Sequence, residues 1–172
     1  MDTRELAARI KDTAYLEGDF VLRSGKRSKY YLDKYLFEAQ PDILAELGRR
    51  MAALATDADL IAGPELGAVS LAAATAMAAG KPFAIVRKAT KDYGTGKLIE
   101  GPDVSGKNVV LVEDIGTTAG AALEAAQTLD QAGANIVRMI FAIDRLQGAA
   151  ENVAAAGYEY HAILTKTDLG IQ

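Results

Sequence analysis

Val109-Val110-Leu111-Val112-Glu113-Asp114-Ile115-Gly116-Thr117-Thr118-Ala119-Gly120-Ala121 reads as a strand, a tight turn and the start of a helix. Four aliphatic residues in a row, with no polar alternation, predict a strand buried on both faces, as in a parallel sheet. Two adjacent carboxylates, Glu113 and Asp114, end that strand. Small and hydroxyl-bearing residues follow, and residues 121–132 have helical character. A turn of Thr, Ala and Gly at a helix N-terminus lets backbone N–H groups close on an anion, with threonine hydroxyls as further donors. Carboxylates beside such a cradle can hold sugar hydroxyls, or a hydrated magnesium ion that the ligand carries. The stretch therefore predicts a site for ribose 5-phosphate.

Working outward, strands and helices alternate. Residues 3–14 read as an amphipathic helix, with Leu6, Ile10 and Ala14 on one side. Residues 20–22 and 30–32 read as short strands around Ser24-Gly25-Lys26, a hairpin with a polar loop. Pro41 opens a helix to about residue 54, with Leu44, Leu47 and Met51 at helical spacing. Residues 60–62 and 83–87 read as strands around a small-residue helix at 67–79. Residues 88–102 are polar and glycine-containing and read as an exposed loop. The strand 136–143, a helix at 149–156 and the strand 160–164 complete the chain. Such alternation predicts a parallel sheet covered on both faces. The N-terminal quarter breaks the alternation and is expected to cap the carboxyl edge of the sheet, where α/β ligand sites lie.

Composition narrows the classes. A chain of 172 residues, half of them hydrophobic, is enough for one buried core and short for two. Lys and Arg number 19 against 23 Asp and Glu, a net charge of −4, which argues against broad nucleic-acid or membrane binding. With no cysteine, disulfides and thiol chemistry are excluded. The Ala-rich run at 66–79 is too short for a membrane span and the N-terminus lacks a signal-peptide pattern, so a cytoplasmic location is expected.

The 109–121 stretch resembles the phosphoribosyl-pyrophosphate (PRPP) signature of the type I phosphoribosyltransferases: apolar strand, two acidic residues, Thr/Gly-rich phosphate loop. The resemblance implies an α/β fold with a parallel sheet, helices on both faces and a small N-terminal hood over about residues 13–40. It implies one domain spanning 1–172, with a mobile loop at about 88–102. Glu113 and Asp114 would hold the ribose hydroxyls, with Asp114 counted among the catalytic residues. Ile115, Gly116, Thr117, Thr118, Ala119, Gly120 and Ala121 would bind PRPP around its 5-phosphate.

Four further segments sharpen the likeness. The block from Phe20 to Asp33, with Ser24-Gly25-Lys26 and the pair Tyr30-Tyr31, resembles the N-terminal signature of orotate phosphoribosyltransferases. It implies that Lys26, Tyr30 and Tyr31 bind orotate, a flat anion suited to an aromatic face and cationic donors. Read alone, the same block is a solvated hairpin with its two tyrosines on opposite faces. The turn Gly63-Pro64-Glu65-Leu66-Gly67 matches a pyrophosphate-contacting loop, which implies PRPP contacts from Glu65, Leu66 and Gly67. Some family members carry a lysine there, where this chain has Leu66 and Gly67.

The segment Arg87-Lys88-Ala89-Thr90-Lys91-Asp92-Tyr93-Gly94 is similar to the family's mobile catalytic loop. Arg87, Lys88 and Lys91 would neutralise the departing pyrophosphate, with Arg87 and Lys91 as catalytic residues. Tyr93 stands where the family usually has histidine. A phenol can hydrogen-bond a phosphate oxygen, but its reference pKa of about 10 makes it a poor proton shuttle near neutrality. In the family this loop reaches the neighbouring subunit, which implies a homodimer. Finally, Phe141-Ala142-Ile143-Asp144-Arg145 places an arginine where the orotate family binds the orotate carboxylate, a planar bidentate match. Thr117 is implied as a second orotate contact, and His161 reads as structural.

The resemblance implies that the substrates are PRPP and orotate, with Mg²⁺ as cofactor held through the pyrophosphate of PRPP and no direct protein ligand. Three other readings stand beside it on sequence alone: transfer to another base, a non-catalytic PRPP-sensing regulator of the same fold, and a generic nucleotide-binding α/β domain.

Overall fold

The aliphatic run 109–112 is a central strand of a six-stranded sheet. The computed structural model describes residues 1–21, 25, 27–89 and 97–171. Helix α1 (Thr3–Ala14) leads into the hairpin β1 (Tyr15–Val21) and β2 (Arg27–Leu32), followed by α2 (Lys34–Glu38) and α3 (Pro41–Ala53). Then come β3 (Leu60–Pro64), α4 (Ala68–Ala79), β4 (Phe83–Val86), β5 (Ile99–Glu100) and β6 (Asn108–Gly116). The chain continues through α5 (Gly120–Gln131), β7 (Asn135–Asp144), α6 (Ala149–Ala155) and β8 (Tyr160–Thr165). Among the described residues the sheet order is β5-β4-β3-β6-β7-β8, parallel except for β5, and β1 and β2 form a separate antiparallel pair.

The aliphatic run works as expected of a doubly covered strand. Val110 and Val112 pack into one core with Leu6, Ile10, Phe37, Leu47 and Leu71, from α1 to α4. Val109 and Leu111 pack into the other, with Ala122, Ala126, Leu129 and Val153 of α5 and α6. Small residues let the layers close. A Cβ on Gly48 of α3 would lie 2.7 Å from the Ala74 carbonyl carbon, and one on Gly63 of β3 would lie 2.7 Å from the Ala68 oxygen. The alanine content of α4 is thus a packing requirement of a helix pressed between a second helix and the sheet.

Several boundaries differ from the sequence reading. β6 runs on through both carboxylates to Gly116 instead of ending at them, because β7 continues to pair with it as far as Gly116 and Asp144. The polar stretch 88–102 contains β5, an edge strand held on β4. β1 starts at Tyr15, before the phenylalanine where alternation first shows. Helix α2 went unread. At five residues it offers too little periodicity, and its one signal is Asp33, whose side chain accepts the Tyr35 N–H at 3.0 Å as an N-cap. These pieces build the hood. Leu32 and Phe37 are buried against the α1–α3–α4 core, and Tyr15 and Tyr30 pack against it.

The order places β3 and β6 side by side, although β3 leads first to β4 on its other flank. The crevice at the carboxyl ends of β3 and β6 is therefore the topological switch point of the sheet. The loop 65–67, the carboxylates and the turn 117–119 all meet there.

Candidate active site

Strand alternation and close packing set the two carboxylates. Glu113 is buried, with Oε1 accepting the Asp114 N–H at 3.0 Å. Asp114 is 4% exposed, and its Oδ1 accepts the Ile115 N–H at 2.5 Å. Its Oδ2 lies 2.7 Å from the ammonium of Lys34 on the hood helix. Burial, and then the neighbouring Asp114 charge, push the Glu113 carboxyl up to about 8. Burial beside a second acid thus favours the protonated form of Glu113.

The turn after β6 is braced on three sides. Ala119 adopts the left-handed conformation at φ 61°, which costs a non-glycine residue about 1–2 kcal/mol. Asn152 Nδ2 of α6 donates to the Thr118 carbonyl at 2.9 Å. Gly116 has no room for a side chain: a Cβ there would lie 3.0 Å from the Phe141 ring. The first intrahelical bond of α5 runs from Leu123 N to Ala119 O at 2.9 Å, so the amides of Gly120, Ala121 and Ala122 point out of the helix start. Thr117, Thr118, Ala119, Gly120 and Ala121 thus surround a helix start with open amides, the arrangement that suits an anion, while Ile115 and Gly116 belong to the strand beneath it.

The loop 65–67 and the start of the flap are one unit. The Glu65 N–H donates to the Val86 carbonyl at 2.8 Å, Glu65 Oε1 accepts the Lys88 N–H at 2.8 Å, and Arg87 Nη1 lies 3.7 Å from Glu65 Oε2. Arg87 N also donates to Leu98 O at 2.7 Å, which ties the end of β4 to the residue before β5. Arg87, Lys88, Glu65, Leu66 and Gly67 therefore stand together at the end of β3 and β4. Leu66 turns outward and is 68% exposed. Gly67 is pressed against the carboxylate: a Cβ there would fall 1.8 Å from Asp114 Oδ2. Lys26, Lys91 and Tyr93, with Arg23, Ser24, Thr90, Asp92 and Gly94, lie outside the described residues.

Across the site, Arg145 follows β7 and meets the hood. Its Nη2 donates to the Tyr30 hydroxyl at 2.9 Å, and its guanidinium carbon lies 5.2 Å from the centre of that ring. Tyr30 stacks in turn on Tyr15, at 5.4 Å between ring centres. Arg145 Nε is buried without a hydrogen-bond partner among the described residues, a donor left open for a ligand. The residue before it braces the turn that follows β7. Asp144 Oδ1 accepts the Leu146 N–H at 2.7 Å and Oδ2 accepts the Tyr160 hydroxyl proton at 2.6 Å. Burial and that contact with Asp144 push the Tyr160 phenol up.

Tyr31 is not brought to this group. The two-residue period of β2 sends it to the opposite face, where it packs on Phe20 and is 41% exposed. His161 lies on β8 with its Nε2 2.6 Å from Glu159 Oε1, away from the carboxyl edge. Sequence reasoning missed Lys34, Glu38 and Ser70. Glu38 is buried at the end of α2, its Oε2 accepting the Ser70 hydroxyl proton of α4 at 2.5 Å. Burial, with Asp114 nearby, pushes its carboxyl up to about 7 although the Ser70 hydrogen bond opposes the rise. The short run Asp33-Lys34 was the available signal, an N-cap followed by a cation.

A family model described as "Phosphoribosyl transferase domain" matches residues 37–157. An orotate phosphoribosyltransferase of Nocardioides sp. is 45% identical over 165 residues, covering 95% of this chain and 92% of its own. One from Methanocella arvoryzae is 43% identical over 171 residues, covering 98% of this chain and 97% of its own. The Mycobacterium tuberculosis orotate phosphoribosyltransferase in complex with PRPP superposes with a TM-score of 0.86 at 32% identity, covering 99% of this chain and 100% of that one. Its complex with Fe(III) dicitrate gives 0.89 at 35% identity, with the same coverage. The chain belongs to the type I phosphoribosyltransferases, and within them to the orotate phosphoribosyltransferases.

Proposed function

We propose that the crevice between β3 and β6 binds PRPP, that Tyr30 and Arg145 beside it bind orotate, and that these residues carry the family reaction in this chain. That reaction transfers the 5-phosphoribosyl group of PRPP to orotate, giving orotidine 5′-monophosphate and pyrophosphate on the route to UMP. The observation that carries the base assignment is Arg145, turned onto Tyr30 with a buried, unpartnered Nε. A neutral base has no carboxylate for that guanidinium to meet.

The division of labour follows the geometry. Thr117, Thr118, Ala119, Gly120 and Ala121 receive the 5-phosphate on the amides that open α5, with the favourable end of the helix dipole. Glu113 and Asp114 receive the ribose hydroxyls. Arg87 and Lys88, anchored on Glu65, meet the pyrophosphate, and Lys91 and Tyr93 of the same loop close over it. The sugar carbon gains oxocarbenium-like charge as the C1–oxygen bond breaks, as in glycoside cleavage, and the ring nitrogen of orotate attacks the opposite face. No protein nucleophile is required, so positioning and charge stabilisation carry the rate.

Buried carboxylates at the edge of a phosphate cradle suit a hydrated magnesium ion brought by the substrate. When bound, Mg²⁺ supplies positive charge to the pyrophosphate. We place the whole chain in one domain, assembled as a homodimer in which the 88–102 loop completes the neighbouring site. We also propose a cytoplasmic location; no helix among the described residues is long and apolar enough to cross a membrane.

A magnesium-dependent assay with PRPP and a panel of orotate, uracil, adenine, guanine, hypoxanthine and xanthine tests the reading. Pyrophosphate release with orotate alone supports it. Turnover with another base removes the orotate pocket and leaves the PRPP site. Sedimentation analysis, with complementation between site-deficient subunits, tests the shared dimer.

A further inference from the structure

The loop 65–67 stands at the leaving-group end of the crevice, yet its own residues are Glu65, Leu66 and Gly67, with no cation. The space over Gly67 is nevertheless filled by one. A Cβ at Gly67 would lie 2.6 Å from Lys34 Nζ and 2.9 Å from Lys34 Cε. The ammonium comes from the hood, from the first residue of α2, and it lies between the loop and Asp114 Oδ2, 2.7 Å away.

We propose that Lys34 is a substrate-contacting cation that binds the diphosphate of PRPP and stabilises it as it leaves. The inference rests on the reading of this crevice as a PRPP site and adds to it a residue from outside the signature. The hood then completes the pyrophosphate end of the pocket as well as the orotate end.

Several observations converge. The ammonium has three donors, and Asp114 is the acceptor it meets among the described residues, so donors remain for phosphate oxygens. Its side chain keeps 29% of its surface open, whereas Asp114 keeps 6%. Burial by itself would lower the lysine, but the Asp114 hydrogen bond and charge, with Tyr35 and Glu113, outweigh it and hold the group above its ordinary value. It therefore stays charged wherever the enzyme works.

The helix that carries it is pinned at both ends. Asp33 caps it, and Glu38, one turn beyond Lys34 on the same face, holds Ser70 of α4, the helix that follows the 65–67 loop. The hood helix and the pyrophosphate loop are thus tied to the same element. Gly67 has a reason too, since any side chain there would displace the ammonium. A preorganised cation at the point where negative charge grows is the arrangement that lowers a barrier of this type.

The test must separate contact with the leaving group from support of Asp114. Magnesium pyrophosphate and ribose 5-phosphate are titrated separately into the full chain and into Lys34→Gln, with thermal melting and steady-state kinetics alongside. Expected is a loss of about 10- to 100-fold in pyrophosphate affinity with ribose 5-phosphate affinity held within about threefold. KM for PRPP should rise and kcat fall, KM for orotate should hold, and Lys34→Arg should recover much of the loss.

Equal weakening of both ligands, or unchanged pyrophosphate affinity with a lower Tm, makes Lys34 a structural tie and overturns the proposal. Should Lys34→Gln fail to fold, the same two titrations on Lys34→Met decide it, by whether the pyrophosphate constant moves alone. A wild-type chain that neither binds pyrophosphate nor turns over PRPP removes the site reading itself, an outcome distinct from failure at Lys34 alone.

Discussion

Arg145 and Tyr30 are 115 positions apart in the chain and share a 2.9 Å hydrogen bond across the mouth of the crevice. The guanidinium also lies over the ring, so the phenol holds the arginine by its face and by its oxygen. This contact joins the hood to the sheet and leaves Arg145 Nε buried without a hydrogen-bond partner among the described residues. Arg145→Ala should therefore raise KM for orotate and lower kcat/KM by about 100-fold, the scale for losing one member of a buried charged pair. KM for PRPP should barely move. Tyr30→Phe keeps the ring and loses the hydroxyl, so a smaller loss of about tenfold is expected. Steady-state kinetics with each substrate varied in turn checks both, and an equal change in both KM values would place Arg145 outside the base pocket.

Asp114→Asn preserves volume and removes charge at a buried position paired to Lys34. Turnover should fall by about 100-fold or more, because the interaction is made with charge that develops during the reaction. Melting temperature should shift by only a few degrees, about 2–4 °C per kcal/mol for a chain of this size. Loss of stability in proportion to loss of turnover would return Asp114 to a structural role.

Gly67→Ala brings a methyl group to 1.8 Å from Asp114 Oδ2. The carboxylate or the loop must move, at a cost of about 1–3 kcal/mol. PRPP binding should weaken more than orotidine 5′-monophosphate binding if the disturbed loop meets the pyrophosphate as proposed. Calorimetric titration of both ligands decides.

Glu38 gives a pH dependence with a defined sign. Its carboxyl is raised from 4.5 to about 7 in the fold, first by burial and, among its charged neighbours, by Asp114, against the pull of Ser70 and Lys34. The folded state therefore holds its proton more tightly than the unfolded chain. The stability this confers is complete below pH 4.5 and is lost as pH rises towards about 7. Glu38→Gln should flatten that part of the stability curve, and Tm measured from pH 4 to 8 on both proteins, with about half-unit steps, shows it. A parallel pair of curves would mean that the fold leaves the Glu38 carboxyl at its unfolded value.

The chain announced its central strand, the tight turn into the helix after it and its alternation of strands and helices, because these are local. An aliphatic run buried on both faces needs no partner to be recognised, and α1, with a capping box between Asp2 and Glu5, begins and ends at Thr3 and Ala14 as read. Arg145, Asp114 and the Thr117–Gly120 turn were likewise legible as candidates at strand ends, which is where they stand. Tertiary structure alone decided the rest. Tyr30 and Tyr31 are equivalent as neighbours in a list, and it is the register of β2 against β1, and of the hood against the sheet, that turns one to Arg145 and the other to Phe20. Helix α2 was too short to show a period, and β5 was hidden in polar sequence because an edge strand can be held by backbone hydrogen bonds to β4. Lys34 beside Asp114, and Glu38 beside Ser70, are separated along the chain by 80 and 32 residues. A pairing of that kind depends on where packed layers bring side chains together, and no local pattern of residue types encodes it.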